Sequence, residues 1–321
     1  MKSVLVTGVG GMVGQGILRN IRSLDQDIAL HGTDIRAVSA GNHLCDSTHV
    51  VPYAYDPAYV PAIARLASEL GIDLVIPSTD YECYYLAKHA KEVGAAVAAS
   101  PAEVSAICLD KFKTHAAFRA HGIPFADSVL PSSYQQRHAG VVVKPREGRG
   151  SRNIHLNPRD PGSYDDSFVV QEYLDGPELT TTFYVNRDGR LHGHITFTRE
   201  LESGSTSRCE VSREHDEEIQ GIVERMVANL AFRGSCNVQS RVTSAGVIPF
   251  EVNCRISGTN SIRSQLGFPD VAYTIAEYLN DREPEAPRVI GGCAIRMSHD
   301  IIYPDLRLDE VRNRHDTFHI F

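Results

Sequence analysis

Short apolar runs alternate with amphipathic stretches at helical spacing through the first third of the chain, which predicts strands and helices in alternation. Residues 3–8 read as a buried strand, followed by the glycine-rich stretch Gly8-Val9-Gly10-Gly11-Met12-Val13-Gly14 and a helix ending near Ile21. The pattern goes on with a strand over 28–33, a helix over 57–70, a strand over 73–76, a helix over 81–93 and a short strand over 95–98. Such alternation argues for a parallel, doubly wound sheet ending near residue 105. A helix over 103–121 follows, closed by Gly122-Ile123-Pro124.

Beyond it strands dominate. Runs over 141–145 and 168–174, then 180–185 and 190–198, read as strands, residues 199–213 as a polar, mobile segment, and 215–231 as an amphipathic helix. Two β-rich runs within 236–255 flank Ser244-Ala245-Gly246 and predict a hairpin. A helix over 271–278, a strand over 292–297 and a polar tail complete the pattern, with no internal repeat or low-complexity linker.

Composition narrows the function. The 321 residues are 42% hydrophobic and 22% charged, with net charge −8, so no basic surplus exists to hold a nucleic acid. Without a run of 18 or more apolar residues, a membrane span is not expected. The N-terminal apolar run breaks into glycines too soon for a signal peptide. The 7 cysteines lack any C-x-x-C pair, which suits a reducing cytoplasm and argues against structural zinc. Cys254 reads either as a reactive thiol or as a small packed hydrophobe.

In the hairpin, Glu251, Asn253 and Arg255 share one face by parity, and Gln239 approaches from the paired strand. Carboxylate and amide oxygens are hard ligands suited to Mg²⁺, and Arg255 suits a phosphate; an ordinary polar strand face is the alternative. Lysines are few, and none follows Lys144, which makes Lys111 and Lys144 stand out. Lys144 ends a strand and precedes Arg146-Glu147-Gly148-Arg149-Gly150-Ser151-Arg152, a loop suited either to polyphosphate or to a basic surface tip. The connection after Phe168 could hold an adenine through backbone groups at Glu172 and Leu174, with Glu178 on a ribose. Asp80 and Glu82, after Pro77-Ser78-Thr79, read as ligand residues or as part of a helix cap. Ser257 to Ser264, with Arg263, could bind an acceptor or a phosphate, and the arginines over 199–213 together with Arg263 suggest an anionic acceptor.

With these segments in order, the chain resembles the ATP-grasp superfamily, and within it a single synthetase domain of the carbamoyl phosphate synthetase large subunit. The resemblance rests on Asp110-Lys111, on Val143-Lys144-Pro145 with its loop, on Gln171-Glu172-Tyr173-Leu174-Asp175-Gly176-Pro177-Glu178, and on Asn237-Val238-Gln239 with Glu251-Val252-Asn253-Cys254-Arg255. It implies an N-terminal α/β unit over 1–105, then a two-lobed α+β ATP-grasp domain with a small lobe over 106–175 and a large lobe over 176–321. ATP would lie between the lobes, with Lys111 and Lys144 on phosphates, Gly148, Gly150 and Ser151 closing over them, Gln171, Glu172, Tyr173 and Leu174 as adenine hinge and Glu178 on ribose. Gln239, Glu251 and Asn253 would ligate Mg²⁺, or Mn²⁺ in its place; Arg255, Lys144 and Arg263 would serve the transferred phosphate and the acceptor.

The resemblance further implies an ADP-forming ligase that joins small-molecule carboxylates and amines through an acyl phosphate; its oligomeric state is left open, a homodimer among the alternatives. Two departures stand out: the family's Asn-Pro-Arg is Asn253-Cys254-Arg255 here, and neither a second synthetase unit nor a glutaminase is present. Two rivals remain open. One is an NAD(P)-dependent reductase or epimerase built on the glycine turn and Asp34, against which stands the lack of a Tyr-x-x-x-Lys other than Tyr84 to Lys88. The other is a non-catalytic nucleotide-binding module.

Overall fold

The computed structural model describes residues 1–148 and 152–321. Strands β1 (Lys2–Val6), β2 (Ile28–Asp34), β3 (Ser47–Val50), β4 (Leu74–Ile76) and β5 (Ala96–Val97) form a parallel sheet in the order β3-β2-β1-β4-β5. The helices α1 (Met12–Arg22), α2 (Tyr59–Glu69), α3 (Asp80–Lys88) and α4 (Ala90–Val93) make the crossovers. Val4, Leu5 and Val6 are all fully buried, as a strand covered on both faces requires. The sheet winds in opposite directions on the two sides of β1, and a crevice at such a switch point is where open α/β sheets place ligands. The expected helix over 81–93 is interrupted at His89. Strand β3 escaped the periodicity because Ser47, Thr48 and His49 carry no apolar alternation at this sheet edge.

The single helix expected over 103–121 is two, α5 (Ala102–Leu109) and α6 (Lys111–Ala120). Asp110 leaves the helical region with φ −110 and ψ 111, and its carboxylate accepts the N–H groups of Phe112 and Lys113, so it caps a new helix. Four short strands follow: β6 (Ser128–Val129), β7 (Val141–Pro145), β8 (His155–Leu156) and β9 (Phe168–Glu172), antiparallel in the order β6-β9-β7-β8.

The largest sheet is antiparallel, in the order β14-β13-β10-β11-β12-β15. Its strands are β10 (Glu178–Val185), β11 (Leu191–Glu202), β12 (Ser205–Val211), β13 (Gly234–Thr243), β14 (Gly246–Asn253) and β15 (Cys293–Ile295). Helix α7 (Asp216–Asn229) covers one face, where Ile219, Val223 and Met226 join Phe183 and Phe232 in the core. The stretch over 199–213 is therefore an ordered hairpin and not a mobile segment. Glu200, Arg208 and Glu210 point to solvent while Thr206 and Cys209 are buried, so its polar composition is that of one outward face.

After β14 the chain returns to the first sheet through α8 (Asn260–Arg263) and α9 (Asp270–Thr274), the latter continuing into a π-turn over Ile275–Leu279. Ile256, Val271, Ile275 and Leu279 pack with Ile17, Leu18 and Ile21 of α1 in one core. The approach is close: a Cβ on Gly16 would lie 2.1 Å from the Asn260 side-chain oxygen. In the tail, Ile301–Ile302 pairs with His319–Ile320, and the Arg312 carbonyl accepts from Asn42 and Thr48. Among the described residues no helix is long and apolar enough to cross a membrane.

Candidate active site

The β13–β14 hairpin places Gln239 directly opposite Glu251, and Asn237 opposite Asn253. Alternation along β14 then turns Glu251 and Asn253 toward the same space, a cavity of about 210 Å³ that Lys111, Lys144, Gly148, Gln239 and Arg255 also line. Residues distant in sequence thus converge on one acidic side chain.

Each cation is aimed by its neighbours. Lys111 opens α6, with its backbone N–H on the Arg146 carbonyl at 3.0 Å, while the Arg146 guanidinium meets the capping carboxylate of Asp110 at 2.5 Å. Lys144 ends β7 with its Nζ 5.2 Å from the centre of the Phe250 ring. Burial pulls the Lys144 pKa down to about 8, with Glu251 opposing the shift and Lys111 adding to it. Burial pushes the Glu251 carboxyl the other way, upward, but Lys111, Lys144, the Asn253 amide and Arg255 together outweigh it and hold Glu251 below the ordinary range. Glu251 is a carboxylate here.

Arg255 donates from Nε to Asp80 Oδ2 at 2.9 Å, a pair with little solvent access. The capping reading of residues 78–82 holds. Thr79 and Glu82 form a capping box at the start of α3, and Asp80 turns to Arg255. The other oxygen of Asp80, Oδ1, is buried and makes no hydrogen bond among the described residues.

Other expected site residues lie elsewhere. Arg263 is fully buried; its guanidinium donates to both oxygens of Asp270, at 2.9 and 2.6 Å, and to Ser257 and Thr259, so it braces the Ser257-Gly258-Thr259 turn instead of meeting a substrate. The buried Gln171 amide donates to Ser128 Oγ and the Phe250 carbonyl. The backbone N–H of Glu172 donates to the Asp127 carbonyl and that of Tyr173 to the Gly140 carbonyl. Neither Glu178 nor any of Gln171, Glu172, Tyr173 and Leu174 borders the cavity. Gly150 and Ser151 lie outside the described residues. Cys254 is 4% exposed and burial pushes its thiol well up, which makes it a packing residue.

Arg199 was missed. It donates to Glu178 Oε1 at 2.8 and 2.6 Å and to Gln239 Oε1 at 2.6 Å. The signal was the period-two pattern running on from Ile195 and Phe197 to Arg199. Arg199 and Arg263, two of the arginines behind the expectation of an anionic acceptor, are both engaged by carboxylates.

For a divalent cation, Glu251, Gln239 and Asn253 offer one carboxylate and two amide groups. That donor set, ringed by Lys111, Lys144 and Arg255, fits Mg²⁺ that arrives with nucleotide phosphates and does not fit a bare ion.

The glycine-rich turn opens on a second cavity of about 560 Å³, which shares Pro145, Gly148 and Arg152 with the first. Here the Gly10 N–H donates to Asp34 Oδ2 at 2.8 Å. Gly14 serves close packing, since a Cβ on it would sit 2.5 Å from the Gly8 carbonyl oxygen.

Two family models match the chain. One, described as ATP-grasp in the biosynthetic pathway with Ter operon, covers residues 165–301, and another, the PylC-like N-terminal domain, covers residues 4–98. Comparison with curated proteins gives no match. Among solved structures, N5-carboxyaminoimidazole ribonucleotide synthetase from Thermotoga maritima aligns with a TM-score of 0.72 at 14% identity, covering 94% of this chain and 84% of that one. L-amino acid ligase from Bacillus licheniformis aligns at 0.71 and 15% identity, over 87% and 74%. The biotin carboxylase domain of 2-oxoglutarate carboxylase from Hydrogenobacter thermophilus, solved with MgADP, ADP and bicarbonate, aligns at 0.69 and 14% identity, over 90% and 72%. A parallel N-terminal sheet followed by two antiparallel ones is the fold these neighbours share, and residues 165–301 match an ATP-grasp family model: the chain has the ATP-grasp fold behind a PylC-like N-terminal domain.

Proposed function

We propose that the protein is an ATP- and Mg²⁺-dependent, ADP-forming ligase that activates a carboxylate as an acyl phosphate for attack by an amine or ammonia. The observation that carries this reading is the convergence of Lys111, Lys144 and Arg255 on Glu251, Gln239 and Asn253 in one cavity. Neighbours of the same fold are described as ligases and synthetases, and several were solved with ADP or ATP. The finer likeness, to carbamoyl phosphate synthetase, rests on the four ordered segments around Lys111, Lys144, Gln171 to Glu178, and Gln239 with Glu251 to Arg255.

In this reading residues 1–105 border the acceptor, and the lobes over 106–175 and 176–321 hold the nucleotide. A carboxylate oxygen attacks the γ-phosphorus, ADP leaves, and the amine then displaces inorganic phosphate from the carbonyl carbon. Lys111, Lys144 and Arg255 offset the negative charge on the phosphoryl oxygens, and their fixed positions avoid reorganisation during transfer. Bound Mg²⁺ would add Lewis-acid charge to the phosphates, held by Glu251 with Gln239 and Asn253. The Gln239 oxygen accepts from Arg199 and keeps a second lone pair for a cation.

The test is ADP release with pooled carboxylic acids and hydroxylamine present to trap the acyl phosphate as a hydroxamate. Glu251→Gln is expected to abolish ADP release and hydroxamate while the circular dichroism spectrum stays unchanged. A fully active Glu251→Gln enzyme overturns the reading.

A further inference from the structure

This inference rests on the ligase reading and concerns the acceptor. The second cavity lies across the carboxyl ends of the parallel sheet, bordered by Gly8 after β1, Asp34 at the end of β2, Val51 after β3 and Thr79 after β4. Tyrosines form one wall of it. Tyr53 and Tyr55 stack with ring centroids 5.3 Å apart and planes 6° apart, and Tyr81 meets Tyr55 edge-on at 6.0 Å and 74°. Tyr53 is 44% exposed and Tyr55 58%, so these rings are presented to solvent and are not packed into a core.

Among the described residues, the charges bordering the cavity are Asp34, Glu82 and Glu147 against the cation Arg152. Burial raises the Glu82 carboxyl and the α3 cap holds it, which leaves Asp34 and Glu147 as the accessible anions. A dinucleotide would need the glycine turn for its pyrophosphate, yet the Gly10 N–H is already given to Asp34, and an anion placed there would face that carboxylate. Aromatic faces with carboxylates beside them are the chemistry that recognises an ammonium group.

We infer that this cavity anchors a cationic nitrogen of the acceptor substrate, against the open outer face of the stacked Tyr53–Tyr55 pair, with Asp34 and Glu147 as counter-charges. Such a setting favours the protonated nitrogen, which has no free electron pair for attack. The anchored nitrogen is therefore not the reacting one, and the acceptor carries a second, nucleophilic group. Pro145, Gly148 and Arg152 border both cavities, so the far end of a ligand anchored at the tyrosines is directed to the phosphate-binding cavity.

Calorimetric titration of the full chain without nucleotide tests this, with tetramethylammonium and diaminobutane as cationic probes, succinate as an anionic probe and NADH as a dinucleotide. Both cations are expected to bind saturably. Tyr53→Ala and Tyr55→Ala are each expected to weaken that binding about tenfold, while Tyr55→Phe, which keeps the ring face, retains it. Absence of saturable cation binding, binding of succinate or NADH in its place, or cation binding unmoved by both alanine variants overturns the inference. Cation binding without any hydroxamate in the ligase assay would remove the proposed reaction and leave the cavity's role standing. Hydroxamate formation without cation binding would remove the cavity's role alone.

Discussion

Lys144 carries its charge where burial opposes it, and its pKa of about 8 makes that charge titratable near neutrality. Below that value the ammonium is present and attracts phosphate; above it the attraction is lost. The dissociation constant for ADP is therefore expected to be flat near pH 7 and to rise above about pH 8, approaching tenfold per unit. Titration across that interval checks it, and a flat profile up to about pH 9.5 would remove Lys144 from the phosphates. Asp80 gives a second expectation. Asp80→Ala leaves the Arg255 guanidinium without its carboxylate in a water-poor setting, which is expected to lower stability by about 3 kcal/mol, read as a shift in denaturant midpoint, with a smaller loss for Asp80→Asn. An unchanged midpoint would show that Arg255 finds another partner. Among individual residues, strand parity was enough to bring Gln239, Glu251 and Asn253 together. Arg263 misled because a residue type announces charge and not burial; its partner Asp270 lies seven positions on, just ahead of the expected helix over 271–278.

At the scale of elements, the break at Asp110 separates a packing helix from one that delivers Lys111. Apolar spacing runs through both, so periodicity alone could not divide them; the buried cap and its pairing with Arg146 do. Asp110→Ala removes cap and ion pair together and is expected to cost about 2 kcal/mol and to weaken ADP binding, whereas Asp110→Asn keeps an acceptor for the cap and is expected to recover about half of the stability. Equal losses for both variants in thermal unfolding would show that the ion pair, and not the cap, sets the break. The β11–β12 hairpin was unreadable for another reason. An antiparallel sheet with one wet face looks polar when its inward residues are as small as Thr206 and Cys209, and Arg199 was lost with it. The parallel sheet was the most legible part, because β1, β2 and β4 are buried on both sides and read as apolar runs.

For the whole molecule, the alternation of elements indicates where the first sheet ends but not what completes its core. The segment from Ile256 to Leu279 does two things at once: Ser257, Gly258 and Thr259 at its start border the cavity of Glu251 and Lys144, and Ile256, Val271, Ile275 and Leu279 fill the space against α1. Asn260 lies between these roles, accepting from Asn20 and donating to the Val13 carbonyl. A chimera that joined residues 1–105 of this chain to the remainder of a relative would thus inherit a foreign patch against Ile17, Leu18 and Gly16. In this lineage the workable crossover points come as a pair, one after the first sheet and one flanking 256–279, and exchange of the N-terminal unit alone is penalised by its own packing.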